Sequence, residues 1–239
     1  MGKALNAHFE MVERVVMPSV LVTGANRGLG LECVRQYAVD GWKVIACCRR
    51  PDEAAVLKKV DGDVKVEVLD VRDAKQIANL VRRLKGQAVD ILINNAGIYG
   101  LSSGSDTDAW LDVMRVNVIA PFHLAEALAD SVARSERKLI VNISSGMGSI
   151  AENTDGGSPI YRSSKAALNM VTKNLAIELR GRGVTVVALC PGWVRTDMGG
   201  KGAPLEAPKS VGSMRKVLAK LGVNDSGKFF NHTGKVMPW

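Results

Sequence analysis

The chain has 239 residues, of which 46% are hydrophobic and 23% charged. That supports a sizeable core and excludes wholesale disorder. The longest uncharged stretch, residues 91–105, is rich in Gly, Asn and Ser and too short to span a membrane. The net charge is +8, but the C-terminal surplus of five positive charges is spread over residues 199–239 without interleaved aromatics. It reads as a solvated face, and neither a nucleic-acid nor a membrane partner is expected.

Residues 1–16 carry no apolar export core and read as a leader, helical or disordered, ahead of Met17. A cytoplasmic location follows as an expectation. Cys33, Cys47, Cys48 and Cys190 have no metal-ligand spacing and are expected to be free, buried thiols.

From residue 17 onward the pattern alternates between strand and helix. Ser19–Thr23 reads as a strand, and Leu31, Val34 and Ala38 recur at helical spacing before Gly41. Strand Lys43–Cys47, a short helix Asp52–Lys59, strand Val64–Leu69, helix Ala74–Lys85 and strand Ile91–Asn94 follow. A long helical stretch runs from Asp106 to Ala133, with a break expected near Pro121. Then come strand Lys138–Ile143, helix Ile160–Leu179 ended by Gly181, and strand Val184–Cys190. A helix Ser210–Leu221 and a short strand Gly227–Phe230 close the chain. Apolar strands alternating with helices predict a doubly wound α/β fold, a parallel sheet covered on both faces. No composition break divides residues 17–239, which read as one domain.

Between the first strand and the first helix stands Thr23-Gly24-Ala25-Asn26-Arg27-Gly28-Leu29-Gly30. Glycines there let a pyrophosphate approach the backbone, and the helix N-terminus offers it free N–H groups. An acidic residue ending the second strand would favour NAD. This chain has Cys47-Cys48-Arg49-Arg50 instead. Arg27 and Arg49 suit a 2′-phosphate, which predicts NADP(H). Asp70 and Val71, after the third strand, are placed to meet the adenine.

Tyr161 and Lys165 are four residues apart on one predicted helix, so phenol and ammonium share a face. A neighbouring cation lowers a phenol's pKa, making it a usable acid near neutral pH. The pair alone is a weak signal. Ser145, at the carboxyl end of the fifth strand, strengthens it, because parallel sheets bind ligands there.

With these motifs in order, the sequence resembles the short-chain dehydrogenases/reductases. The likeness runs from about Pro18 to Trp239 and is nearest to the C-factor and sniffer-type carbonyl reductases. It rests on TGANRGLG at 23–30, Asp70-Val71, Asn94-Asn95-Ala96-Gly97, Asn117, Ser144-Ser145, Tyr161 with Lys165, and Pro191-Gly192 followed by Thr196. The resemblance implies that Tyr161 donates the proton, Lys165 tunes it and holds the nicotinamide ribose, and Ser145 orients the carbonyl. It implies that Asn117 holds a water connecting Lys165 to solvent. Asn95, Ala96 and Gly97 would line the adenosine side, and Pro191, Gly192, Val194 and Thr196 the nicotinamide. It also implies a homodimer or homotetramer through the helices near 106–133 and 160–180, and a small carbonyl or alcohol substrate. The alternative is a nucleotide-binding signalling or structural protein with little turnover. Two features depart from the family pattern: a polar loop, Ala151–Ser158, lengthens the Ser145-to-Tyr161 spacing, and the leader 1–16 has no counterpart in it. Residues 198–208 are expected to cover the substrate as a short, mobile lid.

Overall fold

The computed structural model describes residues 17–100 and 105–239; the leader 1–16 lies outside them. Seven strands form one parallel sheet in the order β3-β2-β1-β4-β5-β6-β7. They are β1 Ser19–Thr23, β2 Lys43–Cys48, β3 Val64–Val68, β4 Ile91–Asn94, β5 Leu139–Ile143, β6 Thr185–Cys190 and β7 Phe229–Asn231. The helices are α1 Gly28–Val39, α2 Ala74–Arg83, α3 Thr107–Met114, α4 Ala120–Ala133, α5 Pro159–Glu178 and α6 Ala207–Leu218.

The apolar runs make central strands because both sheet faces are covered. Along β1, Val20 and Val22 face a core shared with Leu31 and Val34 of α1 and Met214 and Leu218 of α6. Leu21 between them faces the opposite core, with Leu80 of α2, Leu124 and Leu128 of α4 and Leu175 of α5. This alternation is the period of a strand. The edge strand β3 packs Val64 and Val66 on the core and carries on its other face Glu67, which is buried between Lys65 and Arg83.

The structure corrects several boundaries. The segment 52–59 forms two 3-10 turns, Pro51–Glu53 and Leu57–Lys59, instead of a helix. The long helix does break before Pro121, but by widening: Arg115–Ile119 is a π-helical segment joining α3 to α4. Such segments are rare and cluster at functional sites. Helix α5 ends at Glu178, and Gly183, not Gly181, takes the left-handed conformation that turns the chain into β6. Helix α6 begins three residues earlier than Ser210, with Pro208 in its first turn. All four cysteines are free and buried.

The strand order reverses between β1 and β4. Their carboxyl ends splay the following loops apart, and a crevice opens there.

Candidate active site

The crevice is a cleft of about 410 Å³. Its floor is the turn between β1 and α1. Gly24 and Gly28 adopt φ values of 65° and 54°, in the left-handed region. Gly30 is required for another reason: a Cβ there would drive into the carbonyl oxygen of Gly24. The turn is clamped from β4. The Asn95 side chain donates to the carbonyls of Thr23 (2.8 Å) and Gly24 (3.3 Å), and the Thr23 hydroxyl accepts from the N–H groups of Asn95 and Ala96. No side chain caps the start of α1, and no acidic residue stands in its first turn. The first N–H groups of α1 therefore face the cleft with the positive end of the helix dipole.

Gly24, Asn26, Arg27, Gly28, Leu29, Arg49, Asp70, Val71, Asn95, Ala96, Gly97, Tyr161, Lys165, Pro191 and Thr196 line this one cleft. Five expected residues do not. Gly30 lies beneath the turn, and Gly192 packs against His232 and Leu205. Val194 is buried and bridges to Leu205. Asn117 and Ser145 adjoin lining residues instead, Asn117 beside Gly97 and Ser145 beside Tyr161.

At the end of the cleft lined by Arg27, Arg49 and Asp70, the side chains are more occupied than their sequence positions imply. Arg27 forms an exposed ion pair with Asp197, at 3.2 Å. Asp70 is gripped by Arg72, whose guanidinium reaches both carboxylate oxygens at 3.1 and 2.9 Å. Arg72 also bonds Asp112 of α3. This holds the Asp70 carboxyl below the ordinary aspartate range. Arg50 pairs with Glu53. Arg49 makes no ion pair among the described residues.

At the other end, α5 presents Tyr161 and Lys165 one turn apart, both buried. The Lys165 Nζ donates to the Ile143 carbonyl at 2.8 Å and lies 5.6 Å from the Tyr161 ring centre. Among the described residues no carboxylate forms an ion pair with it, and burial lowers its pKa to about 8, partly offset by the neighbouring Cys190 thiol. The expected lowering of the Tyr161 pKa is not what this pocket produces. Burial pushes the phenol up to about 12, and the adjacent Ser145 hydroxyl only partly offsets that. Desolvation of the phenolate is the dominant cause, with the neighbouring Cys190 and Tyr99 adding to it.

The two serines separate. Ser144 donates to the buried Asn169 carboxamide at 2.6 Å and serves packing. Ser145 accepts from the Met147 N–H, at the head of a 3-10 turn spanning Gly146–Gly148, and borders Tyr161. Asn117 sits in the π-helical segment. Its carboxamide accepts from Ile98 N–H, donates to the Ile98 carbonyl, both at 2.9 Å, and donates to Ser164 on α5. It thus ties the chain leaving β4 to the helix carrying Tyr161. Asn94 points elsewhere, into a buried pair with Asn142.

One neighbour escaped the sequence reading. Tyr99 stacks on Tyr161, and its hydroxyl shares a 2.8 Å hydrogen bond with Ser158. Its only signal was an aromatic residue two positions beyond Gly97. The segment expected to be a mobile lid is hydrogen-bonded across its base. Arg195 N–H donates to the Leu205 carbonyl, Trp193 Nε1 to the Gly199 carbonyl, and Ala203 is fully buried. Among the described residues, no group of three or more His, Cys, Asp or Glu could hold a metal, and no helix is long and apolar enough to cross a membrane.

The residues fit a dinucleotide. An uncapped helix start, a glycine cradle that a Cβ would fill, basic groups at one end and a buried unpaired lysine at the other suit an extended, phosphate-bearing ligand.

Residues 18–205 match the family model described as short chain dehydrogenase. The chain is 42% identical to C-signal of Myxococcus xanthus over 154 residues, 63% of this chain and 93% of that protein. It resembles the structure of the carbonyl reductase Sniffer of D. melanogaster, with a TM-score of 0.87, 34% identity, and coverage of 94% of this chain and 100% of that one. It also resembles the NADPH-bound carbonyl reductase from chicken fatty liver, with a TM-score of 0.84, 38% identity, and coverage of 93% and 99%. With the fold, the ordered motifs and these likenesses in agreement, the chain belongs to the short-chain dehydrogenase family.

Proposed function

We propose that the protein is an NADPH-dependent carbonyl reductase, converting a ketone or aldehyde to an alcohol reversibly, with Tyr161 as general acid and base. The observation that carries this reading is that Tyr161 and Lys165 line the same cleft as the glycine turn and Arg49. NADP-bound relatives of this fold support the cofactor assignment. When bound, NADPH supplies the hydride that forms the new C–H bond at the carbonyl carbon.

The chain's own groups handle the oxygen. Tyr161 remains protonated at neutral pH in this buried site, so it holds the proton that the oxygen receives. Ser145, beside that phenol, donates a hydrogen bond to the same oxygen as charge develops on it. Lys165, charged below about pH 8, stabilises the phenolate left after transfer. Asn117 acts through the backbone it holds, fixing Ile98 and α5 relative to each other. Its water-relay role remains part of the proposal. Gly192, Val194 and Thr196 support the nicotinamide end, and Arg27 and Arg49 the 2′-phosphate.

We read residues 17–239 as one domain, and the protein as a cytoplasmic homodimer or homotetramer. Exposed Met170 and Ile177, seven residues apart on α5, support association through that helix. Sedimentation at micromolar concentration tests this.

The decisive experiment follows NADPH absorbance with a panel of carbonyls. Tyr161→Phe should abolish turnover while NADPH still binds; a variant of full rate removes this mechanism. The identity with C-signal favours a second reading, a dinucleotide-binding signalling protein with little turnover. Tight NADPH binding without turnover across the panel would decide for it.

A further inference from the structure

We infer that Trp239 is a positioning residue for Ser145, acting through a strap formed by residues 236–239. The inference rests on the reading above that Ser145 orients the substrate carbonyl.

The strap begins at the sheet edge. After β7 the chain turns on the Asn231 side chain, which accepts from the N–H groups of Thr233 and Lys235. It returns antiparallel, with Val236 bridging Phe230. Met237 N–H donates to the Phe229 carbonyl at 2.7 Å, and the Met237 side chain packs on Ala188, Cys190 and Phe229. The Trp239 ring stacks on the fully buried Phe229 ring, with centroids 5.6 Å apart and planes 14° from parallel. Two apolar anchors thus fix where the backbone oxygen of Trp239 points.

That oxygen accepts three hydrogen bonds from the segment leaving Ser145. Ile150 N–H lies at 2.9 Å, Ala151 N–H at 3.1 Å and the Ser149 hydroxyl at 3.2 Å. The turn between Ser145 and Ser149 is therefore held from two sides. On the α5 side, Gly148 packs directly against Lys165 and its carbonyl accepts from Asn169. On the other side stand Met237, against Gly146, and Trp239. Beyond Ala151 the loop is exposed, and Gly156 and Gly157 have open space around them. The strap holds the chain after Ser145 at the point where it becomes exposed. Without it, Ser145 is located through β5, the α5 contacts and the bonds that the Ser144 and Gly146 N–H groups make to Leu189 and Cys190 of β6, and a catalytic hydroxyl displaced by a fraction of an ångström loses rate.

The test compares Trp239→Ala with Trp239→Phe, which keeps an aromatic ring for Phe229. Steady-state carbonyl reduction, NADPH affinity by fluorescence and amide hydrogen exchange are measured well below the melting temperature. Trp239→Ala should lose at least tenfold in kcat with NADPH affinity within twofold of the wild type, because the glycine turn lies outside the strap. Trp239→Phe should recover kcat to within threefold. The Met147, Ile150 and Ala151 amides should exchange at least tenfold faster in Trp239→Ala. A kcat within twofold of wild type, equal losses in both variants, or a loss matched by weaker NADPH binding overturns the inference. If the wild type binds NADPH but reduces nothing, the functional reading fails by itself. The exchange data then still decide the strap, and unchanged protection at those amides overturns it.

Discussion

The ring of Tyr99 lies stacked on that of Tyr161, with centroids 4.5 Å apart and planes 26° from parallel. The partner ring fixes the phenol's tilt, and the Tyr99 hydroxyl ties the stack to Ser158 at the head of α5. Such a stack is worth about 0.5–1.5 kcal/mol beyond its buried area. Tyr99→Ala should therefore reduce kcat/KM by about two- to twelvefold if that energy is lost from the transition state. Tyr99→Phe keeps the stack and should lose less. An alanine variant of unchanged kcat/KM would show that the stack does not position the phenol.

Arg49 lines the cleft and has no carboxylate partner among the described residues, whereas Arg27 and Arg50 are paired. Arg49 is thus the guanidinium free to meet a 2′-phosphate. A hydrogen bond to a charged group contributes about 1.5–3 kcal/mol, or about tenfold or more in affinity. Arg49→Ala should weaken NADPH by that factor and leave NADH nearly unchanged. Equal weakening of both cofactors would refute 2′-phosphate recognition by Arg49. Asp197→Asn releases Arg27 and should tighten NADPH modestly, most clearly at low salt.

Gly30→Ala forces a methyl group against the Gly24 carbonyl, deep in the clamped turn. The neighbour is backbone and cannot swing aside. We expect a loss of about 3 kcal/mol or more in urea unfolding, with NADPH binding abolished. A variant that melts like the wild type would mean the turn has slack that this geometry lacks.

Burial lowers Lys165 from 10.5 to about 8. Below about 8 both folded and unfolded chains carry the proton, and the cost of burying the charge is fully present. Between those values the unfolded chain binds more protons, so this group raises stability as pH rises. Tyr161, whose folded value is the higher one, opposes this only above its ordinary value of 10. Relative to Lys165→Met, the wild type should gain about 1 kcal/mol per pH unit from about pH 8 to about pH 10. Unfolding curves for both proteins across that range provide the measurement, and a constant difference would contradict it.

The sequence by itself determined the sheet, the glycine turn and the spacing of Tyr161 and Lys165. These depend on local periodicity: continuous apolar strands, a helical i,i+4 pair and glycines where a turn must be tight. The same local signals missed the π-helical segment around Asn117, because its widened turn serves contacts to Ile98 and Ser164 that lie far away in sequence. They also missed Arg72's hold on Asp70 and Asp112, the hydrogen bonds across the base of the lid and the stack of Tyr99 on Tyr161. Only the tertiary structure decided the protonation of the site. Residue type and spacing predict attraction between phenol and ammonium, but the pKa of each group follows from how completely the fold removes it from water.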